Sequence, residues 1–144
     1  MKSNKGFSLL ELLIVVAIIL IIATIAIPSL LRSRQAANES SAVTNIRSFN
    51  TAQVSYSSGG GGTYGTIADL VAAGLIDSRY TTVFSGYVFT LDLSGNRREY
   101  TAYATAAADN NGRYDYYTTP DYVIRYSTAA SRAPSAVLVG EPVR

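Results

Sequence analysis

The sequence predicts an α+β protein in which one long amino-terminal α-helix packs on an antiparallel sheet of three or four strands. Three observations lead to this fold class. An apolar run near the amino terminus continues into a segment with helical spacing, the period of alternation changes to two beyond Gly86, and turn residues separate the alternating stretches. The 144 residues suffice for one small domain and an appendage.

The first element is an apolar run with the length of a membrane-spanning helix. Leu9 to Ile27 comprises 19 residues, which extend about 28 Å as a helix, close to the hydrocarbon thickness of a bilayer. Lys2 and Lys5 precede the run and favour a cytoplasmic amino terminus. We therefore expect a single-pass membrane precursor whose globular part lies outside the cytoplasm, although the arginines that follow the run weaken the charge asymmetry.

Glu11 is an exception within this run. A carboxylate in a membrane span is unfavourable unless it lies near an interface or meets a cation. The residues alone leave two interpretations open: a glutamate whose side chain reaches the headgroups, or one that pairs with a cation. The span contains no cation, so the second interpretation requires another molecule or a newly created amino terminus.

The first residues carry a family resemblance. The stretch from Lys5 to Leu13, KGFSLLELL, followed by the apolar run and Pro28, resembles the type III signal of type IV prepilins and related pseudopilins. The resemblance covers Met1 to Ala37. It implies that a prepilin peptidase cuts between Gly6 and Phe7 on the cytoplasmic side and methylates the Phe7 amine, and that inner-membrane assembly machinery packs the mature chain into a helical filament.

The resemblance gives Glu11 and Pro28 specific roles. Cleavage creates a positive amine on Phe7, which we expect to lie beside Glu11 of a neighbouring subunit and to set the register of assembly. Pro28 removes one helical hydrogen bond, so we expect a kink there; the alternative is that Pro28 ends the span.

Four segments follow from this interpretation: a leader at 1–6, an apolar membrane and filament-core helix at 7–28, an amphipathic continuation at 29–58, and a globular head at 59–144. One face of the amphipathic continuation carries apolar residues at helical spacing, and Gln53 is the one residue of that face that does not suit packing against a sheet. The glycine run at 59–62 predicts a flexible linker, and 66–74 predicts a short helix ending at Gly74. The apolar face of the amphipathic helix comprises Ala42, Ile46, Phe49 and Tyr56.

Alternating stretches predict the strands of the head. They are GYVFTLDL, RREYTAYATA, RYDYYTT and YVIRYS, separated by turns at 94–96, 109–112 and 120–121. The segment 129–144 predicts an irregular tail. Tyrosines dominate the strands, and we interpret most of them as packing residues, with an adhesive or subunit-contact surface as the alternative. They are Tyr87, Tyr100, Tyr103, Tyr114, Tyr116, Tyr117, Tyr122 and Tyr126.

The composition limits what chemistry the head can perform. The chain contains no cysteine and no histidine, which excludes disulfides, thiolate metal sites and the usual general base. Many pilins close their carboxy-terminal region with a disulfide and some pseudopilins with a calcium loop. Asp109, Asn111 and Asp115 supply suitable oxygens, but their spacing departs from the standard calcium loop. We therefore expect a solvated turn and no cofactor.

The leading functional prediction is a structural, non-enzymatic subunit of a type IV pilus that forms a homo-oligomeric filament outside the cell. A periplasmic pseudopilin of a type II secretion system is the close alternative. A membrane-tethered enzyme would have to use Asp109, Asp115 and Asp121, which turns explain. A DNA-binding minor pilin would use Arg97 and Arg98, but without Lys2 and Lys5 ten basic residues face ten acidic ones, which argues against nucleic acid. Asn38 heads an Asn-Glu-Ser glycosylation pattern, and we expect no glycan there.

Overall fold

The computed structural model describes residues 6–128 and 141–143. Helix α1 spans Leu9–Gly59 and is followed by the short helix α2, Ile67–Ala72, and a 3₁₀ turn at Ser78–Thr81. The strands are β1 (Tyr87–Leu93), β2 (Tyr100–Ala106), β3 (Tyr114–Thr118), β4 (Arg125–Thr128) and β5 (Glu141–Pro142). All neighbouring strands are antiparallel and lie in chain order, so the sheet is a meander.

The predicted α+β fold class is confirmed. The long helix packs on the antiparallel sheet, and the predicted strands correspond to β1 through β4. The sequence did not predict β5, since it predicts an irregular tail over 129–144. Glu141 and Pro142 pair with Tyr126 and Arg125 of β4, while the rest of the predicted tail lies outside the described residues.

The chain divides into two compact units, Met1–Arg34 and Gln35–Arg144, and the boundary falls inside α1. No residue from Gly6 to Arg34 is buried. The hydrophobic core belongs to the second unit, which includes the second part of α1 as well as the head predicted at 59–144. From here on, the head means this whole unit. The core combines one face of α1 with the facing side chains of the sheet, and it includes Ala42, Ile46, Phe49, Tyr87, Phe89, Tyr100, Ala102 and Ala104.

Aromatic contacts join the helix to the sheet inside this core. The Phe49 ring lies 5.0 Å from the Tyr80 ring and 5.8 Å from the Phe89 ring, measured between centroids. Small residues on β2 leave room for these rings, because Ala102, Ala104 and Ala106 all face inward. The interpretation of Ala42, Ile46 and Phe49 as the packing face is therefore confirmed.

Gln53 corrects one detail of that interpretation. Its side chain is fully buried in the core, where Nε2 donates to the Gly65 carbonyl at 2.7 Å and Oε1 accepts the Gly65 N–H at 3.0 Å. A buried amide is tolerated when its donors and acceptor are satisfied. The side chain of Gln53 thus fastens the segment after α1 to the helix.

The glycine run forms a helix cap rather than a free linker. The Gly60 N–H donates to the Tyr56 carbonyl at 2.9 Å, and the Gly62 N–H donates to the Ser57 carbonyl at 3.0 Å. Gly61 has a φ of 70°, the left-handed conformation that commonly ends helices. The prediction of a flexible linker was wrong because the glycines satisfy the last carbonyls of α1.

Candidate functional site

The start of α1 is defined by Ser8 and Glu11. Gly6, Phe7 and Ser8 precede the helix, and the Ser8 carbonyl accepts the first helical bond, from the Leu12 N–H at 3.2 Å. Oε2 of Glu11 accepts the Ser8 N–H at 2.9 Å. This is the second half of a capping box, in which a glutamate three residues after the cap satisfies the cap's own N–H.

The helix that follows has an apolar surface that nothing in its own unit covers. α1 contains a stretch long and apolar enough to cross a membrane, and that stretch is entirely unburied. An exposed apolar surface of this extent indicates contact with lipid or with another protein. Its large exposed side chains include Leu9, Leu10, Leu12, Leu13, Ile14, Val15, Ile18, Ile19, Leu20, Ile21, Ile22, Ile25, Ile27, Leu30 and Leu31, and Phe7 just before the helix is exposed as well.

Pro28 lies inside α1, and the helix continues past it to Gly59. The alternative that Pro28 ends the membrane span is not tested by the continuity of the helix. A kink at Pro28 stays a prediction.

Three polar side chains of α1 hold the turn between β2 and β3. Glu39 accepts the Arg113 N–H at 2.8 Å and the Arg113 guanidinium nitrogens Nε and Nη2 at 3.2 and 3.0 Å. Asn38 donates to the Asn111 carbonyl at 2.9 Å, and Gln35 donates to the Asp109 carbonyl at 3.1 Å. The predicted turn at 109–112 is thus fixed to the helix.

The calcium candidates have other partners in this turn. Oδ1 of the buried Asp115 accepts the Ala106 N–H at 2.8 Å, and the backbone carbonyls of Asp109 and Asn111 accept the bonds from α1. Across the residues that the structure describes, no three histidine, cysteine, aspartate or glutamate side chains group in a way that could hold a metal ion. The described contacts of this region are therefore those of a structural turn.

Asp121 organises the turn between β3 and β4. It accepts the Thr119 hydroxyl at 2.8 Å and the Val123 N–H at 3.0 Å through Oδ1, and Arg125 Nη2 at 2.6 Å through Oδ2. The hydrogen bond from Arg125 is the main reason why the pKa of Asp121 falls to about 2. Asp121 is thus held by its turn, as the sequence interpretation expected. Asp115 instead lies buried in β3, so the expectation of a solvated turn was wrong for this residue.

The arginines proposed for nucleic acid differ in their surroundings. Arg97 Nη1 lies 3.3 Å from Oδ2 of Asp69, so its charge is paired. The Thr66 N–H and hydroxyl are the main causes that lower the pKa of Asp69, and Arg97 adds to them. Arg98 is exposed. Both arginines are therefore exposed, and Arg97 has the charge of Asp69 beside it.

Most of the tyrosines pack, and one does not. Tyr87, Tyr100, Tyr116 and Tyr117 are buried, and the others on the sheet are partly covered. Tyr122 is 48% exposed. The interpretation of the tyrosines as packing residues therefore holds for the strands and fails for the turn that carries Tyr122.

The Asn-Glu-Ser pattern lies in the middle of α1. The Asn38 amide nitrogen, which a glycan would modify, donates to the Asn111 carbonyl. Glycosylation would break this contact in the folded head.

Sequence reasoning missed the two side chains that tie α1 to the following chain, Glu39 and Gln53. Both are polar residues on a helix whose sequence pattern is amphipathic. The partner of Glu39 is 74 residues away in the chain, and that of Gln53 is 12 residues away. The only available signal was spacing, because Glu39, Ala42, Ile46 and Gln53 lie on one helical face.

Comparison with known proteins identifies the chain's relatives. The family model described as the prokaryotic N-terminal methylation motif matches residues 1–27. The chain is 31% identical over 121 residues to the type IV wide pilus major component PilA4 of Thermus thermophilus, covering 84% of this chain and 86% of that protein. It is 49% identical over 53 residues to the type IV major pilin PilA of Myxococcus xanthus, covering 37% of this chain and 24% of that protein.

These relatives are structural pilins and not enzymes, and the Thermus match extends through both units of the chain. The resemblance seen in the first residues is thereby confirmed and extended to the head. The chain belongs to the type IV pilin family.

Proposed function

We propose that this chain is the structural subunit of a type IV pilus, made as a membrane-anchored precursor and assembled through the first part of α1. One observation carries the proposal: the helix from Leu9 to Leu31 exposes nearly all of its large apolar side chains, and Glu11 is its one acidic residue. In the precursor, lipid covers this surface. In a filament, other copies of the same helix cover it.

Cleavage after Gly6 creates the positively charged partner that the Glu11 carboxylate lacks in its own helix. Hydrolysis of the Gly6–Phe7 peptide bond leaves a carboxylate on Gly6 and a protonated amine on Phe7. Methylation of that amine preserves its positive charge. Because the first part of α1 contains no basic residue before Arg32, the Phe7 amine of a neighbouring subunit is the cation that Glu11 meets in the filament.

The cap at Ser8 prepares Glu11 for this role. The Ser8 N–H holds one carboxylate oxygen, so the side chain is already ordered at the start of the helix before assembly. A buried charge is tolerated only when it is paired and hydrogen-bonded. A subunit in the wrong register would leave both the amine and the carboxylate unpaired, so this contact selects the register of the filament.

The family comparisons favour a pilus over a secretion pseudopilus, since both relatives are named as major components of pili. The peptidase and the inner-membrane assembly machinery are the partners that this function requires. The mature filament lies outside the cell.

Substitution of Glu11 tests the proposal, with one variant that removes only the charge and one that also removes the oxygen of the cap. Glu11→Gln keeps an oxygen that accepts the Ser8 N–H but removes the charge, and Glu11→Leu removes both. We expect both variants to enter the membrane and to yield roughly 100-fold fewer filaments, because the amine of each neighbour loses its partner. Electron microscopy of sheared surface filaments, with immunoblots of membranes, measures both quantities.

Glu99→Gln is the matched control, because it removes an exposed carboxylate of the head and should leave filament yield unchanged. Wild-type filament yield from Glu11→Gln would contradict the role of the charge pair.

A further inference from the structure

The described part of the head pairs most of its charges internally. Four ion pairs join Glu39 to Arg113, Asp69 to Arg97, Asp77 to Arg79 and Asp121 to Arg125. Arg47 on α1 and Asp92 on β1 are exposed, and among the described residues neither forms an ion pair. They carry opposite charges, and they lie on different elements, Arg47 on α1 and Asp92 on the outward side of β1.

Arg47 lies beside a groove between α1 and the turn that joins β3 to β4. The groove has a volume of about 420 Å³ and is lined by Arg47, Asn50, Thr51, Val54 and Tyr122. Its wall includes 43% exposed Val54 as well as exposed Tyr122. A cation between an aliphatic and an aromatic side chain suits a partner that offers an acid beside an apolar ring.

The aromatic wall of this groove is held in a fixed and strained position. Tyr122 has a φ of 62°, a left-handed conformation that non-glycine residues rarely adopt. The bonds from Thr119, Val123 and Arg125 to Asp121 hold the turn in place. Tyr122 also interacts with the Tyr64 side chain, and a half-exposed aromatic residue in a strained conformation is a candidate for recognition.

Asp92 belongs to a complementary patch on the outer face of the sheet. The inward side chains of β1 and β2 include Phe89 and Ala102, so the alternate residues Asp92 and Tyr103 point outward. Asp92 pairs with Thr101 in the register and Thr90 with Tyr103, which makes Asp92 and Tyr103 diagonal neighbours. Partial burial and, after it, the negative charge of Asp92 raise the pKa of Tyr103.

We propose that the Arg47 groove of one subunit binds the Asp92–Tyr103 patch of a second copy of this chain. The inference rests on the proposed function, since it names a head-to-head contact within that filament. Two different patches form a heterologous contact, which can propagate into an open helical polymer and does not pair two copies through the same patch. The guanidinium of Arg47 pairs with the Asp92 carboxylate and lies against the Tyr103 ring.

Charge exchange tests the contact in assembled filaments. Arg47→Glu and Asp92→Arg each place like charges opposite one another, so each variant should lower the yield of sheared filaments by roughly threefold to tenfold. The double variant with both substitutions restores the opposite charges and should return the yield to within about twofold of wild type. Arg98→Glu is a matched control that inverts another exposed arginine of the head.

Cross-linking gives a readout that does not depend on yield. The chain has no cysteine, so the double variant Arg47→Cys/Asp92→Cys introduces the only thiols. A short bis-maleimide applied to intact filaments should produce a ladder of trimers and larger species, while either single cysteine variant should produce none.

The outcomes separate the two proposals. Intact double-cysteine filaments that give no cross-link, dimers without higher species, or a charge-exchange double variant as impaired as its parents would overturn this interface and leave the pilus subunit in place. If the wild-type chain forms no filament in its native host, the proposed function fails and the interface fails with it.

Discussion

The two units of the chain use the same helix in opposite ways. From Gly6 to Arg34, α1 exposes its apolar side chains and buries none of them. From Gln35 onward the helix buries polar side chains as well, including Glu39, Asn50 and Gln53, each with hydrogen-bond partners in the head. The apolar side chains of the first stretch are not covered by their own unit, whereas the buried side chains of the second stretch have partners in the head.

This difference shows where each unit obtains its stability. The head follows the usual rule for a soluble domain, with an aromatic and aliphatic core and satisfied buried polar groups. The apolar part of α1 breaks that rule, because its favourable contacts must come from lipid or from other copies. A substitution in the head should therefore alter folding, whereas one in the apolar part should alter assembly.

The largest expected effect is on the free energy of unfolding of the head, when truncation of Phe49 is compared with truncation of Leu13. Phe49 is 1% exposed and Leu13 is 57% exposed. Phe49→Ala should lower the free energy of unfolding of the head by about 3–5 kcal/mol through the cavity it leaves. Leu13→Ala should change that free energy by less than about 0.5 kcal/mol and reduce filament yield instead.

Urea denaturation of the detergent-solubilised full chain, followed by tyrosine fluorescence, measures the first quantity, since the chain has 11 tyrosines and no tryptophan. Equal losses of head stability from the two variants would remove the contrast between the units.

A smaller effect concerns the pH dependence of the head. The pKa of Asp121 is about 2 in the folded state, mainly because of its bond with Arg125, against roughly 3.9 in an unfolded chain. The stability it contributes is therefore fully present above about pH 4 and is lost as the pH falls through about 2. The side chain is 41% exposed, so solvent screening should limit the contribution to less than about 1 kcal/mol.

Thermal unfolding of wild type and Asp121→Asn between pH 6 and pH 2 measures this contribution. We expect the two melting curves to converge as the pH falls. A constant difference between them at every pH would show that Asp121 acts through its neutral hydrogen bonds alone.

Periodicity predicted the elements of this fold because local patterns determine them. The apolar run and the packing residues Ile46 and Phe49 indicated α1, and alternation between turn residues indicated the four strands. The motif around Gly6 and Glu11 identified the family because it lies in nine consecutive residues, from Lys5 to Leu13. Each of these signals is readable within a short window of sequence.

The features that escaped prediction depend on contacts between distant residues or on backbone geometry. The Glu39–Arg113 pair exists only once the sheet is placed on the helix, and the Gln53–Gly65 clamp only once the segment after α1 folds back on the helix. The exposure of Tyr122 follows from its left-handed conformation, which no alternating pattern reveals. The cap between Ser8 and Glu11 could have been predicted from the Ser-x-x-Glu spacing, but Glu11 was interpreted only as a residue of the membrane span.

The central claim is that Glu11 meets an amine that exists only after the leader is removed. The most direct measurement is the intact mass and amino-terminal fragment spectrum of the subunit in filaments sheared from the native host. We predict a chain that begins at Phe7 and carries one methyl group on its amino terminus. Filaments whose subunit still begins at Met1 would contradict the account, because the partner of Glu11 would then not exist.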